Sequence, residues 1–316
     1  MKIIDMHCDT LLAGWRKPER SFYDGDTSIN LKLLKENGSL LQFFAMYIPR
    51  NEMKTMDSYD ILKGIYGYYH TQMKKYSDII KPVYSAQEVL ENEEKGLLSS
   101  LLTVEDGVFI DGKIERVQEV YDMGVRLITL MWNFENSIGF PCSDDPEAHL
   151  KGLKPFGIEV LEKMNELGMI IDVSHMSEGG FYDVAKCSKK PFVASHSCAR
   201  ALCSHRRNLT DDQLRTIGNA GGIVGVNFEC SFLKEGSNGA TYDQIIEHLL
   251  YVRDKAGIDA VGFGSDFDGI DDNGELVNYG GFTTLLERME GKFTYDEIDK
   301  ICRENALRVI KDVIGR

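Results

Sequence analysis

The sequence predicts a single (β/α)8 barrel of the TIM type, and three observations support this fold class. Short apolar segments recur eight times along the chain, and segments with helical spacing separate most of them. Their continuous apolar character is typical of parallel strands that are buried on both faces. No GxGxxG motif follows the first strand and the chain has no GxxxxGK[ST] motif, although a doubly wound sheet usually carries such phosphate-binding signatures. Strands alternating with helices therefore favour the barrel over the doubly wound sheet.

The eight predicted strands are short, and turn residues flank them. Their length and β-branched content are typical of barrel strands. They comprise residues 3–6, 40–47, 101–104, 125–130, 169–173, 192–194, 222–227 and 260–264. The stretch 53–85 is longer than a minimal crossover between strands. We therefore expect a helical insertion after the second strand.

Several helices are marked by their apolar spacing and by their first residues. Ile158, Leu161, Met164 and Leu167 recur every three residues, and Gly168 is placed to end that helix in a left-handed conformation. A Thr followed three residues later by Gln or Glu predicts a capping box, in which each side chain bonds the backbone of the other residue. Such pairs occur at Thr210 and Gln213, Thr241 and Gln244, and Thr294 and Glu297.

The composition indicates one large globular domain over residues 1–316. The chain is 43% hydrophobic and has a formal net charge of -14. A nucleic-acid groove or an anionic membrane selects for clustered Lys and Arg, so neither is expected as a partner. The N-terminal segment is too polar for a signal peptide, and no apolar run approaches the roughly 20 residues of a membrane span. These features predict a cytoplasmic protein.

Polar residues suited to metal binding follow most of the predicted strands. In a β/α barrel the functional groups stand at the C-terminal ends of the strands, where they converge. Imidazoles and carboxylates at the end of a buried strand also need partners. In chain order the strand-end residues are His7 and Asp9, Glu105, Trp132 and Asn133, His175, His196, Asn227, and Asp266.

This set predicts a site for two metal ions. His7 and Asp9 lie two apart, so their side chains point to the same face of a strand and can bind one ion together. Imidazole nitrogen combined with carboxylate oxygen suits Zn²⁺ best, with Mn²⁺ or Co²⁺ as alternatives. Six ligands exceed one tetrahedral site and fit two ions about 3.5–4 Å apart that share a carboxylate. The predicted ligands are His7, Asp9, Glu105, His175, His196 and Asp266.

Two neighbouring acids compete with members of this set. Asp106 follows Glu105 directly and is an alternative ligand, and Asp268 is an alternative to Asp266. Asp266 is preferred because it lies closer to the end of its strand. We expect the other histidines to be solvated: His70, His149, His205 and His248. The seven cysteines form no CxxC pair, which indicates reduced thiols and small core residues.

Six motifs resemble those of the membrane (renal) dipeptidases, a metallopeptidase branch of the amidohydrolase-like barrels. They are MHCDT, TVEDG, IIDVSHMS, ASHSCAR, HRRNLTD and VGFGSDFDG, in the family's order from residue 3 to about residue 310. The resemblance implies that one zinc ion is held by His7, Asp9 and Asp266. It implies a second ion held by His175 and His196, with Glu105 as the bridge. It also suggests a homodimer.

The resemblance further implies that Arg207, in HRRN, binds the carboxylate of a dipeptide. A guanidinium pairs with a carboxylate through two hydrogen bonds, and a dipeptide carries one carboxylate at a fixed distance from its peptide bond. One departure concerns the end of the fourth strand, where the family pattern has a histidine. Here Trp132 occupies that position, and Asn133 is a candidate donor in its place. Asn227 completes the predicted substrate-binding residues.

The predicted function is therefore zinc-dependent hydrolysis of free dipeptides, including those with a C-terminal D-residue. Glu105 would bridge the ions, and Asp266 would take a proton from the attacking water and return it to the leaving amine. The same barrel supports other metal hydrolases, so a lactone or amide substrate is the first alternative. A binding protein without catalytic activity is the second alternative, and Trp132 is its only support in the sequence.

Overall fold

The computed structural model of the protein describes residues 1–271 and 274–315. Within these residues nine strands form one sheet in which every pairing is parallel. The sheet closes because β2 pairs with β4 as well as with β1, and β9 pairs with β1. The strands are β1 (Ile3–Asp5), β2 (Ser39–Tyr47), β3 (Ile80–Pro82), β4 (Leu98–Glu105), β5 (Leu127–Thr129), β6 (Ile170–Asp172), β7 (Val193–Ala194), β8 (Ile223–Val226) and β9 (Val261–Phe263).

Eight of these strands form the barrel, and each coincides with a strand that the sequence predicts. Strand β3 was not predicted. It is only three residues long, contains Pro82 and pairs with the first residues of β4, on the side that β5 occupies further along. Its position explains why sequence patterning misses it, because a short peripheral strand lacks a continuous apolar run.

The helices surround the barrel on its outer face. The interval between β2 and β4 contains two helices and β3, where one crossover helix would suffice, and this is the predicted insertion. The helices are α1 (Thr10–Arg16), α2 (Leu31–Glu36), α3 (Ser58–Lys75), α4 (Ala86–Glu94), α5 (Glu115–Asp122), α6 (Pro146–His149), α7 (Pro155–Leu167), α8 (Glu178–Cys187), α9 (Asp211–Asn219), α10 (Cys230–Leu233), α11 (Tyr242–Ala256), α12 (Gly281–Met289), α13 (Tyr295–Asp299) and α14 (Asn305–Val313).

Shorter helical turns complete the chain, and the predicted caps are present. The 3₁₀ turns are Glu52–Lys54, Gly107–Ile110 and Ile258–Ala260, and a π-helical turn spans Lys300–Glu304. Gly168 ends α7 with φ 72°. Reciprocal capping boxes open α9, α11 and α13, as the threonine pairs predict. Local sequence therefore determines where these helices begin.

Apolar side chains close the N-terminal end of the barrel. Seven of its strands contribute to one buried cluster, which also includes residues of α4 and α14. Met6 lies in this interior, and glycines on β8 and β9 make room for it. A methyl group at Gly225 would lie 2.9 Å from the Met6 Cε atom. Because this end is filled, the open end of the barrel is the C-terminal one, where the predicted ligands lie.

The helices of the described residues are those of a barrel, packed around its strands. None of those helices is both long enough and apolar enough to cross a membrane. All seven cysteines lie in the described part of the chain, and all are free thiols.

Candidate metal centre

The six predicted ligands lie together at the C-terminal end of the barrel, and Glu105 is at their centre. Its Oε2 lies 3.6 Å from the Nε2 of His7. Its Oε1 lies 3.0 Å from the Nε2 of His175 and 3.5 Å from the Nε2 of His196. One oxygen of the carboxylate therefore faces His7, and the other faces His175 and His196. A bridging ligand requires this arrangement.

A second group forms around His7. Its Nε2 lies 3.7 Å from an oxygen of Asp266 and 4.0 Å from an oxygen of Asp9. The donor atoms of these three residues are close enough to share one ion, and so are those of His7, Glu105 and His196. His175 belongs with His196, because the Nε2 atoms of the two rings lie 3.0 Å apart.

The backbone is strained at two of these residues. His175 has φ 67° and Asp266 has φ 63°, both in the left-handed region that non-glycine residues seldom adopt. Each such conformation costs about 1–3 kcal/mol and persists where the surrounding structure imposes it. Each residue lies three positions after the end of its strand, at Asp172 and Phe263, and the sharp turn of the backbone directs its side chain into the site.

The orientation of the rings is fixed by hydrogen bonds on their other nitrogen. The Nδ1 of His175 donates to the Oδ1 of Asn133 at 2.9 Å. The Nδ1 of His196 donates to the Oγ of Ser195 at 2.8 Å. Each Nε2 therefore carries a lone pair and faces the site, which is the tautomer that binds a metal ion.

Several buried donor atoms of the site lack partners, and this tests whether metal ions fit. Among the described residues, the Nε2 of His7 and the Oδ1 of Asp9 are buried and have no hydrogen-bond partner. The lone pairs of His175 and His196 point at each other over 3.0 Å. Buried polar atoms are nearly always paired, so these atoms are suited to hold cations. The residues present therefore fit a pair of divalent ions.

The charges of the site alter the pKa values of the carboxylates. Burial raises the pKa of Asp266 to about 6, and the charge of His7 opposes this rise. Burial also raises the pKa of Asp9, together with the negative charge of Glu105. Burial acts in the same direction on Glu105, but the positive charge of His7 is the largest influence that opposes it. The pKa of Glu105 is therefore lowered.

The three imidazoles differ in their pKa values. Burial lowers the pKa of His7, but the carboxylates of Glu105, Asp9 and Asp266 outweigh burial and raise it to about 10. Burial and the charge of Arg207 lower the pKa of His175 to about 3. Burial and the charge of His7 lower the pKa of His196. His175 and His196 are therefore neutral at pH 7, whereas His7 in the absence of a metal ion is protonated.

The two competing acids have structural contacts instead. The Oδ1 of Asp106 accepts hydrogen bonds from the backbone N–H of Val108 and from the amide of Asn136, both at 3.0 Å. Asp268 accepts from the hydroxyl of Thr10 at 2.6 Å and from the N–H of Ser28 at 2.7 Å. Both carboxylates therefore hold loops around the site, while Glu105 and Asp266 face the centre.

Arg207 lies beside this group and is only 5% exposed. Its Nη2 donates to the carbonyl of His196 at 3.1 Å, and its Nη1 lies 3.4 Å from the hydroxyl of Ser197. Its guanidinium also lies 5.4 Å from the ring centre of Phe232. The Nε of Arg207 is buried and has no partner among the described residues. A buried guanidinium with a free donor is suited to bind an anionic group.

Trp132 belongs to an aromatic wall next to His175. Its ring centre lies 5.0 Å from that of Tyr47, 5.6 Å from that of Phe134 and 6.3 Å from that of His175. Phe134 is 47% exposed, so the wall extends from the site to the surface. These rings offer an apolar surface beside the metal ligands.

The amide of Asn227 is engaged within the protein. Its Nδ2 donates to Asp266 at 2.9 Å, and its Oδ1 accepts from the N–H of Glu229 at 2.6 Å. Asn133 is likewise bound to His175. The structure thus places both amides on candidate metal ligands, and their contact with substrate stays a prediction.

Comparison with known proteins identifies the family. The family model of the membrane dipeptidases, peptidase family M19, matches residues 1–314. The chain belongs to the membrane dipeptidase family. An uncharacterized dipeptidase of Schizosaccharomyces pombe is 34% identical, and the match covers 98% of this chain and 80% of the relative.

Two solved structures are similar over nearly their whole length. The dipeptidase AC, a metallopeptidase of family M19, has a TM-score of 0.93 and 28% identity, with 100% of this chain and 99% of that chain covered. A metallopeptidase from Rhodobacter sphaeroides, bound to a phosphinate mimic of L-Ala-D-Ala, has a TM-score of 0.90 and 26% identity, with 99% of each chain covered. Membership of the membrane dipeptidase family makes this protein a metallo-dipeptidase-type hydrolase with a (β/α)8 barrel.

Sequence reasoning overlooked a glycine of the dipeptidase site. A methyl group at Gly269 would overlap the carboxylate oxygens of Asp9 and Asp266. The backbone at this position therefore approaches two candidate ligands more closely than a side chain permits. This glycine ends the motif VGFGSDFDG and follows the motif's two acids, Asp266 and Asp268. That position was the signal available in the sequence.

One histidine outside the site corrects an expectation. The sequence predicted a solvated His248, but His248 is 1% exposed. Its Nδ1 accepts from the N–H of Ala199 at 3.0 Å, and its Nε2 lies 3.0 Å from the carbonyl of Leu233. The prediction was wrong because His248 lies on a face of α11 that a loop covers. Sequence periodicity does not reveal that contact.

Proposed function

We propose that the protein hydrolyses dipeptides with two Zn²⁺ ions held by His7, Asp9, Glu105, His175, His196 and Asp266. The position of Glu105 carries this proposal, since one oxygen faces His7 and the other faces His175 and His196. The mixed nitrogen and oxygen donors favour Zn²⁺, and Mn²⁺ or Co²⁺ are the alternatives. His7, Asp9 and Asp266 would hold one ion, and His175 and His196 the other.

The ions would provide the chemistry that the side chains lack. When bound, such ions would lower the pKa of a water molecule and polarise the carbonyl of the peptide bond. Asp266 is placed to accept the proton of that water and to deliver it to the leaving amine. Asn227 holds one of its oxygens in place.

Arg207 would bind the C-terminal carboxylate of the dipeptide. Two of its nitrogens are anchored by the loop that carries His196, so the guanidinium has a fixed position relative to the metal ligands. A carboxylate bound there sets the distance to the peptide bond and limits the substrate to short peptides. The Rhodobacter sphaeroides relative binds a mimic with a C-terminal D-residue. We include such dipeptides among the proposed substrates.

The deciding experiment is a substrate panel with zinc-loaded protein. We expect hydrolysis of dipeptides such as Ala-Ala and L-Ala-D-Ala, and no hydrolysis of lactones or phosphotriesters. A chelator should abolish the activity, and Zn²⁺ should restore it. Hydrolysis of a lactone without any dipeptide would favour the alternative hydrolase. Full metal occupancy with no hydrolysis would favour a binding role.

A cytoplasmic location and a homodimer remain proposals from the sequence.

A further inference from the structure

A buried chain of hydrogen bonds runs from Asp172 to His196. The hydroxyl of Ser195 lies 2.5 Å from the Oδ2 of Asp172. The same hydroxyl oxygen lies 2.8 Å from the Nδ1 of His196. Asp172 and Ser195 are completely buried. Neither residue reaches the reacting atoms, and the proposed function does not use them.

The direction of these hydrogen bonds follows from which groups can donate a proton. The Oδ2 of Asp172 also accepts from the hydroxyl of Thr129 at 2.6 Å. Its Oδ1 accepts from the N–H groups of Ser174 and Ser195 at 3.0 and 2.9 Å. A carboxylate only accepts hydrogen bonds, so Ser195 must give its single hydroxyl proton to Asp172. The Oγ of Ser195 is then an acceptor, and the Nδ1 of His196 must carry a proton.

We propose that Asp172 is a positioning residue that sets the tautomer of His196. Through Ser195 it keeps the proton on Nδ1 and leaves the lone pair of Nε2 for a metal ion. This inference rests on the proposed metal site but not on dipeptide hydrolysis. An outer partner of this kind typically changes metal affinity by about 10- to 100-fold.

A second carboxylate provides a matched control within the same barrel. Asp5 is also completely buried and accepts from the hydroxyl of Ser265 at 2.7 Å and from its N–H at 2.8 Å. Gln42 donates to it at 2.9 Å, as Thr129 does to Asp172. Each carboxylate thus links three neighbouring strands: β1, β2 and β9 for Asp5, and β5, β6 and β7 for Asp172. The hydroxyl of Ser265 lies 3.3 Å from the backbone carbonyl of His7 and contacts no imidazole ring of the described residues, so the Asp5 pair holds the backbone without setting a tautomer.

The test is the variant Asp172→Asn, which has the same shape with one oxygen replaced by NH2. With the NH2 at the Oδ2 position, Ser195 accepts from it and gives its own proton to the Nδ1 of His196. The proton of His196 then moves to Nε2. Nitrogen NMR of metal-free protein, labelled with ¹⁵N in its histidines, distinguishes the two tautomers. The signals of His196 are assigned by their loss in His196→Gln.

We expect wild type and Asp5→Asn to show the Nδ1–H tautomer of His196, and Asp172→Asn to show Nε2–H. An unchanged tautomer in Asp172→Asn would overturn the proposal, and so would an equal change in Asp5→Asn.

Should Asp172→Asn fail to fold, Ser195→Ala keeps the carboxylate with its other three donors. Its zinc affinity, measured by chelator competition, should fall about 10- to 100-fold, while that of Ser265→Ala should stay within twofold. Equal affinities in the two alanine variants would overturn the proposal. Because neither readout uses a peptide, failure of dipeptide hydrolysis would leave both results interpretable.

Discussion

The Nε2 atoms of His175 and His196 lie 3.0 Å apart, although the other nitrogen of each ring already donates its proton elsewhere. Two lone pairs at this distance repel each other unless a cation lies between them. Glu105 contributes a further oxygen at 3.0 Å from His175. The protein thus holds a group of electron-rich atoms together by its fold, and metal ions relieve their repulsion.

Metal binding is expected to release protons between pH 6.5 and 10. The pKa of His7 is raised above its ordinary 6.5 to about 10, so metal-free protein keeps this proton at neutral pH. The stabilisation from protonated His7 is fully present below pH 6.5 and is lost as the pH rises through about 10. A metal ion needs the neutral ring, so metal affinity should rise over the same range. Titration calorimetry in buffers of different ionisation heat measures the released protons. A heat independent of the buffer would contradict this prediction.

Arg207→Ala should raise the KM for Ala-Ala by about tenfold to a hundredfold, because a charge-assisted bond to the carboxylate contributes about 1.5–3 kcal/mol. Its zinc content should remain that of the wild type. The control is Arg206→Ala, since Arg206 is 38% exposed and forms an ion pair with Asp144. Steady-state kinetics and metal analysis of both variants provide the comparison. An unchanged KM in Arg207→Ala would remove Arg207 from substrate binding.

Gly269→Ala should weaken metal binding at least tenfold with the fold retained, because the new methyl group displaces the carboxylates of Asp9 and Asp266. The matched control is Gly67→Ala on α3, where a methyl group meets nothing within 4 Å. That variant should gain about 0.5–1 kcal/mol of stability and bind zinc normally. Chelator competition and thermal unfolding measure the two effects. Equal zinc affinity in both variants would show that Gly269 has no role in the site.

Trp132→Ala should change which dipeptides are preferred. Removing the indole opens the aromatic wall beside His175, so kcat/KM should fall more for Phe-Ala than for Gly-Ala. The ratio of the two values is the measurement, because any loss of folded protein cancels in it. Trp15→Ala removes an indole that packs against Gly64 on α3 and should leave the ratio unchanged. The same ratio in wild type and Trp132→Ala would show that the wall does not contact substrate.

Much of the fold could be predicted because its signals are local. Buried strands show continuous apolar runs, and the capping boxes at Thr210, Thr241 and Thr294 lie within four residues of sequence. The convergence of His7, Glu105, His175 and the other strand-end residues follows from the parallel direction of the strands. Strand β3 was missed because three residues that include a proline carry too little pattern.

The contacts between neighbouring strands could not be predicted. Nothing in the sequence around Asp172 indicates that Ser195, directly after the next strand, donates a hydrogen bond to it, because register and side-chain direction decide that contact. The burial of His248 likewise depends on how α11 meets a distant loop. The sequence named strand-end residues that lie together in the structure, but it did not identify Asp172 and Ser195 behind them.

The pairing of β1 with β9 has a consequence for the nascent chain. Asp5 and Ser265, whose hydrogen bonds join these strands, are 260 residues apart in sequence. His7 and Asp9 leave the ribosome early, but Asp266 cannot meet them until β9 has been synthesised and the barrel has closed. Contacts of such long range form slowly. The proposed zinc ions would therefore meet their complete ligand set only after the barrel strands have been translated.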